Sequence, residues 1–301
     1  MNPALDPCDT AARLPWPALV DDIEALLQDA SVRVPERIVM PTAQGAVLFV
    51  MPACDAHTAM TKLITFTPGN VGSALPTIQG DVTVFDVASG TRRLILDGPT
   101  VTARRTAAVS ALAARRLAPT LGGPMLIVGA GVQGRAHLEA FAAVLDVRRF
   151  RIASRSAASV QALVDHARGL GLEAEAAPDA DAALADCPLV VTCTPAQGVV
   201  LRAPPRPDAF VAAVGAFTPQ MVELAPALCR DLVGRGRIVV DTREAEHEAG
   251  DLLQAGIGVA SLPSLGDIVR AGEARGRGPV LFKSCGWAGW DLAAARLALR
   301  C

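Results

Sequence analysis

The 301-residue chain predicts an α/β protein: a doubly wound parallel sheet combined with a smaller α+β domain. Three observations predict it. From Pro124 onward, short apolar runs alternate with stretches of helical spacing, as in a parallel sheet with crossover helices. Before Thr100, one helical stretch is followed by short alternating runs broken by turn residues, which reads as mainly antiparallel strands. Where the two regions meet, Met125-Leu126-Ile127-Val128 runs into Gly129-Ala130-Gly131-Val132-Gln133-Gly134, a buried strand ending in a glycine turn that opens a helix.

Taken in order, residues 17–30 read as the first helix. Leu19, Ile23, Leu26 and Leu27 share one side, and Asp21, Asp22 and Glu24 lie near its positive N-terminal end. Residues 31–40 are expected to be extended, 46–51 a short apolar strand and 60–66 another, with Lys62 near its start. Ala88-Ser89-Gly90 makes a hairpin turn between strands at 80–86 and 92–97. Residues 100–117, alanine-rich with arginines at 104, 105, 115 and 116, form a long helix, and 119–123 reads as a hinge. Beyond it, strands are expected at 125–128, 150–153, 189–193, 210–214 and 238–241. Helices are expected at 132–145, 157–169, 179–185, 222–232 and 244–255. A strand at 280–284 and a helix at 290–299 bring the chain back to its first domain. Asp241, ending a strand, and Asp291, opening the last helix, read as structural.

Composition removes several classes. Apolar residues make up 51% of the chain, and a net charge of −2 leaves no basic surplus for nucleic acid. No apolar run is long enough for a membrane span, and the N-terminus lacks the basic start and apolar core of a signal peptide. The seven cysteines show no metal-like spacing and fit reduced thiols in a cytoplasmic protein. The four histidines show no paired spacing, so no metal site is expected. There is no tyrosine, which excludes a Tyr/Lys acid pair and leaves proton transfer to Lys, Asp, Glu, His or water.

The glycine turn is the strongest local signal. A strand–turn–helix with this spacing presents unpaired backbone N–H groups to a pyrophosphate. Gly129 allows the turn, Gly131 the approach of a dinucleotide, and Gly134 the close packing of helix on strand. The next strand ends in Ser154-Arg155-Ser156, with an arginine and two hydroxyls where an acidic residue would hold the ribose of NAD. That chemistry suits a 2′-phosphate and favours NADP, used as NADPH, over NAD. The same serines can cap the following helix, and the two roles are compatible.

Several segments together resemble the ornithine cyclodeaminase/mu-crystallin family: Met60-Thr61-Lys62-Leu63-Ile64-Thr65-Phe66, Thr102-Ala103-Arg104-Arg105-Thr106-Ala107-Ala108, Val128-Gly129-Ala130-Gly131-Val132-Gln133, Ala213-Val214-Gly215 and Val280-Leu281-Phe282-Lys283-Ser284. The resemblance implies a Rossmann-type domain, expected over residues 120–282. It also implies a substrate-binding and dimerisation domain, expected over 1–119 with 283–301, and a homodimer built through the N-terminal sheet. It places Arg37, Lys62 and Arg105 at the positions that hold a substrate α-carboxylate, a chemically sensible set of two guanidinium forks and one movable ammonium. The nicotinamide cofactor is expected on Thr106, Gly129, Gly131, Val132, Gln133, Gly134, Ser154, Arg155, Ser156, Thr192 and Val214. One departure is informative. Phe217 stands where the family's ornithine cyclodeaminases carry an Asp assigned to the substrate amine, and an aromatic ring cannot take that role. The expected activity is therefore reduction of an α-imino acid with Lys62 as the catalytic residue and Phe217 as an apolar substrate wall. Behind it rank an alanine-type dehydrogenase, an ornithine cyclodeaminase and a non-catalytic mu-crystallin-like binding protein.

Overall fold

The computed structural model describes residues 4–70, 73–195, 197–273 and 275–301. Helix α1 (Pro7–Ala12) starts on Asp6, whose carboxylate accepts from the Asp9 N–H, and α2 (Trp16–Leu26) follows with Pro17 in its first turn. Five strands then form an antiparallel sheet in chain order: β1 (Ile38–Pro41), β2 (Val47–Cys54), β3 (Thr58–Phe66), β4 (Ile78–Asp86) and β5 (Arg92–Asp97). The alternation that marks a half-buried strand is clear in β3, where Thr58, Met60, Lys62 and Ile64 are buried while Leu63 and Thr65 face outward. Lys62 lies opposite Met51 of β2 and Val82 of β4, two fully apolar neighbours. Helix α3 (Gly98–Leu117) follows directly.

The second part of the chain alternates as its sequence predicts: β6 (Met125–Val128), α4 (Val132–Leu145), β7 (Arg149–Ala153), α5 (Ala157–Gly169), β8 (Glu173–Ala176), α6 (Ala180–Ala183) and β9 (Leu189–Thr192). After it come β10 (Gln197–Leu201), β11 (Phe210–Ala213), β12 (Val222–Leu224), α7 (Pro226–Arg235), β13 (Arg237–Val240), α8 (Gly250–Gln254), α9 (Leu265–Ala271) and β14 (Val280–Lys283). Seven of these strands make a parallel sheet in the order β13-β14-β11-β9-β6-β7-β8. Every residue of β6, β9, β11 and β14 is buried, as expected of strands covered on both faces. The strand order reverses between β6 and β9, so the loops after these two strands leave in opposite directions. That topological switch point is where such sheets open a crevice at their carboxyl ends.

The final helix, α10 (Ala288–Arg300), belongs with the first unit. It is apolar nearly all round, with alanines at 288, 293, 294, 295 and 298 buried along with Trp290, Leu292 and Leu297. A helix of that composition must be covered on every side. It packs on α2 and on the inner face of β2, β3 and β4.

Two compact units result, Met1–Arg105 with Trp287–Cys301 and Thr106–Gly286. The division thus falls inside α3 and after β14, not at the Pro/Gly-rich loop of residues 119–123 nor before Lys283. Helix α3 carries Thr102 and Arg105 into the first unit's polar cluster in its opening turns, while Lys283 ends a strand of the parallel sheet. Two expected helices are also redrawn. Residues 222–232 split into β12, which pairs in parallel with β10, and α7, which starts at Pro226, where proline fits a first turn. Residues 244–255 break into a 3₁₀ turn at Arg243–His247 and the short α8. Among the described residues, no helix is long and apolar enough to cross a membrane.

Candidate functional site

The first unit buries an unusual concentration of charge. Lys62 is 1% exposed, Arg105 6% and Asp291 fully buried, all beneath an apolar sheet face. The Asp291 Oδ1 atom accepts from Lys62 Nζ at 3.0 Å and from Arg105 Nε at 3.2 Å. Its other oxygen, Oδ2, lies 2.9 Å from the same ammonium but off the hydrogen-bond direction, and takes no other donor among the described residues. Lys62 also donates to Thr102 Oγ1 at 3.4 Å. An ammonium has three donors, so one N–H of Lys62 is uncommitted among the described residues. Arg105 binds Asp291 through Nε, and among the described residues its terminal nitrogens make no hydrogen bond, which leaves the fork open to a carboxylate. Its neighbour Arg104 is engaged differently, donating to Leu14 O and stacking 3.9 Å over the Trp16 ring.

Burial pulls the Lys62 pKa down from its ordinary value to about 8; Asp291 works against that, while Arg105 and Arg37 add to it. Arg37, half-buried just before β1, is therefore close enough to act on the same ammonium. Lys62 and Arg105 thus meet at Asp291, with Arg37 within reach of the same ammonium. Asp291 lies in the first turn of α10, as its reading places it, but its partners are the two cations just described rather than helix N–H groups. Two signals could have found it. Asp291 is the one charge in Trp290-Asp291-Leu292-Ala293-Ala294-Ala295, a run that a buried helix cannot hold without a counter-charge. The chain also contains only two lysines against 26 arginines, so every exposed cation is an arginine and each lysine stands out.

In the second unit, the glycine turn has the backbone its sequence requires. Gly129 sits at φ +119°, in the left-handed region, and a side chain there would meet the Cys193 carbonyl. A Cβ on Gly134 would lie 2.0 Å from the Gly129 carbonyl, so only hydrogen lets α4 pack this close. A Cβ on Gly131 would meet nothing within 4 Å, leaving open space over the turn. Gly131 is the N-cap of α4 and offers no capping side chain. Val132 is 72% exposed, and the buried Gln133 Oε1 lacks a partner among the described residues. The open space and the missing side-chain cap leave the α4 N-terminus ready for an anion. Ser156 caps α5 by accepting from the Ser159 N–H, while Ser154 and Arg155 are exposed at the carboxyl end of β7. Thr106 is buried, and Val214 N donates to Thr192 O where β9 and β11 end.

A second buried network fixes those ends. Glu223, fully buried, accepts from Thr192 Oγ1, from the N–H and hydroxyl of Thr194, and from the Gly215 N–H, all at 2.7–2.9 Å. Burial raises its pKa despite Lys283 and these bonds. Asp251 accepts from the Glu223 and Leu224 N–H groups and pairs with Lys283 at 2.9 Å. Lys283 in turn donates to the carbonyls of Ala213 and Ala216. The loop after β11 is thus held from two sides, and Phe217 on it packs against the apolar core of this unit. Glu223 lies outside the sequence motifs, and Lys283, though within the segment 280–284, is assigned no role there.

The chain matches the model of the ornithine cyclodeaminase/mu-crystallin family over residues 11–299. It is 40% identical to Delta(1)-pyrroline-2-carboxylate reductase 1 of Burkholderia multivorans, covering 99% of this chain and 95% of the relative. Identity to the ketimine reductase mu-crystallin of Mus musculus is 33%, over 93% of this chain and 90% of the relative. A solved Delta(1)-pyrroline-2-carboxylate reductase of Thermococcus litoralis, in complex with NADH and L-proline, superposes with a TM-score of 0.86 at 23% identity, covering 94% and 91% of the two chains. From the strand order, the glycine turn and these matches over nearly its whole length, the chain belongs to the ornithine cyclodeaminase/mu-crystallin family.

Proposed function

We propose that the chain is an NADPH-dependent reductase of a cyclic α-imino acid, such as a pyrroline- or piperideine-2-carboxylate, giving the amino acid. The observation that carries this reading is the buried cation cluster. Arg105 has an open fork and Lys62 a spare N–H, a pairing suited to one carboxylate and one adjacent nitrogen. Relatives at 38–40% identity named Delta(1)-pyrroline-2-carboxylate reductases support the cyclic imine as substrate class. The identity of Phe217 supports it further, since an aromatic ring cannot take the amine role that ornithine cyclodeamination gives to an acid at that position.

A nicotinamide dinucleotide fits the second unit: Gly129 and Gly134 shape the turn and bring α4 close, Gly131 leaves open space over it, and the uncapped α4 N-terminus would hold its pyrophosphate. Bound there, the cofactor supplies a hydride. Arg37 and Arg105 anchor the substrate carboxylate and so fix the position of the imine carbon. Lys62 gives its proton to the imine nitrogen as the C=N π pair becomes an amine lone pair, and later regains one from solvent. Because the ammonium is the active form and its pKa is near 8, the rate should be flat at neutral pH and fall as pH rises through about 8.

The test is a panel of cyclic imines run with NADPH and NADH side by side, with pyruvate plus ammonium as a control arm. Cofactor consumption with pyrroline-2-carboxylate is expected; no turnover with any cyclic imine would overturn the reading. Arg155 and the flanking serines carry the preference for NADP. Arg155→Ala should raise the KM for NADPH about tenfold, as expected for one lost charge-assisted contact, and leave that for NADH nearly unchanged. Equal effects on both cofactors would remove Arg155 from 2′-phosphate recognition.

The assembly we infer is a homodimer through the outer face of the N-terminal sheet. Ile38, Met40 and Leu63 are 57%, 47% and 46% exposed on that face, beside half-buried Leu48 and Val50. A contiguous apolar surface of this kind marks an interaction site. Leu63→Glu should convert dimer to monomer by light scattering after size exclusion; a monomeric parent protein would refute the assignment.

A further inference from the structure

Asp291 is the part of the buried cluster to which carboxylate binding and proton transfer assign nothing. Buried carboxylates elsewhere in the chain bind backbone N–H groups. Asp251 holds Glu223 and Leu224, and Asp241 holds Thr242, Cys285 and Gly286 together with the Ser284 hydroxyl. Among the described residues Asp291 makes no such bond. Both of its donors are cations of the proposed substrate site. The groups that act on Lys62 come from every element around it: Asp291 from α10, Arg105 and Thr102 from α3, and Arg37 from the stretch before β1. The flanking strands contribute only Met51 and Val82. Asp291 is the single anion in that set, against two guanidinium groups.

On the reductase reading, we propose that Asp291 is a positioning residue for imine reduction: its carboxylate keeps Lys62 protonated between two arginines, and engages Arg105 by Nε so that the terminal fork is left for the substrate. The argument is one of charge and geometry. An ammonium buried beside two guanidinium groups loses its proton unless an anion compensates, and a discharged lysine has no proton to give. A guanidinium held along one edge presents the other edge in a fixed plane, which matters for bidentate binding. No atom of Asp291 need touch the substrate for either effect. The proton given to the imine nitrogen still comes from Lys62 Nζ and is still replaced from solvent, so the balance of the reaction is unaltered.

The experiment uses the scarcity of lysine. With only Lys62 and Lys283 in the chain, a protein labelled with ¹³Cε-lysine gives two side-chain signals, and Lys62→Met assigns them. In Asp291→Asn, which keeps the shape and removes the charge, the Lys62 titration should move about one pH unit or more to lower pH. The alkaline limb of kcat with pyrroline-2-carboxylate should move with it, while the KM for NADPH stays put. Asp291→Glu keeps the charge but displaces it by one methylene. It should leave the titration near its parent position, lower kcat about tenfold and raise the imine KM. Coincident titrations or coincident rate profiles in the parent and Asp291→Asn would overturn the proposal. Should Asp291→Asn not fold, an unchanged kcat in Asp291→Glu would overturn it alone. The NMR titration needs no turnover, so a parent protein inactive on every imine would refute the reductase reading separately from the charge coupling.

Discussion

Lys62→Met should lower the rate of cyclic-imine reduction by about a thousandfold while NADPH still binds. Methionine nearly matches the length and volume of the lysine stem, so the apolar packing against Met51 and Val82 is retained. Asp291 keeps Arg105 as a partner, at 3.2 Å, and is not left as an uncompensated buried charge. Loss of activity would thus report the missing ammonium and not a collapsed fold. The measurement pairs steady-state reduction over pH 6–10 with fluorescence titration of NADPH. A variant that turns over as fast as its parent would remove Lys62 from the chemistry. A variant that loses both activity and cofactor binding would point to the fold instead. Because Lys62 titrates near pH 8, the contrast between parent and variant should be largest at neutral pH and shrink as the parent's own lysine discharges.

The second large effect is expected on stability. Lys283→Met should destabilise the protein by about 3–5 kcal/mol, the range for breaking a buried pair from one side. Lys283 and Asp251 are both fully buried at 2.9 Å, and Glu223 lies within the field of the same ammonium. Removing the cation leaves two buried carboxylates held only by backbone N–H groups and the Thr192 and Thr194 hydroxyls, with no cation to offset their charge. The Ala216 carbonyl loses its Lys283 donor as well, while that of Ala213 keeps the Ser284 N–H. A fall of about 5–8 °C in the unfolding midpoint follows for a chain of this size. Adding Asp251→Asn should recover much of the loss, because the amide oxygen can still accept from the Glu223 and Leu224 N–H groups. A midpoint unchanged in Lys283→Met would mean that the network contributes nothing net.

What the sequence could reveal followed from how local each signal was. β6, α4 and α5 were legible almost to the residue, because the glycine turn and the Ser156 cap mark their ends within the local chain. The β12–α7 region was misread because β12 is defined by its pairing with β10, a partner more than twenty residues earlier that no local periodicity reveals. Helix α9 carried a readable sign, the Ser264–Asp267 capping box, in a stretch otherwise lacking helical pattern. In the site, Arg37, Lys62 and Arg105 were found through motifs. Asp291 and Glu223 were not, although both are single acids within apolar runs. Acids near helix starts usually serve the helix dipole, and that common role hid the rarer one.

The separation of Lys62 and Asp291 by 229 residues has a consequence for how the protein is made. Chains fold largely from the N-terminus as they leave the ribosome. The five-stranded sheet emerges early, with Lys62 on its inner face, but α10, which covers that face and brings the counter-charge, is translated only after the whole Thr106–Gly286 unit. Throughout that interval the first unit has an apolar sheet with no lid and an ammonium with no anion. Nascent chains of this protein should therefore be chaperone clients until residue 291 has cleared the exit tunnel and α10 can bring its carboxylate to Lys62.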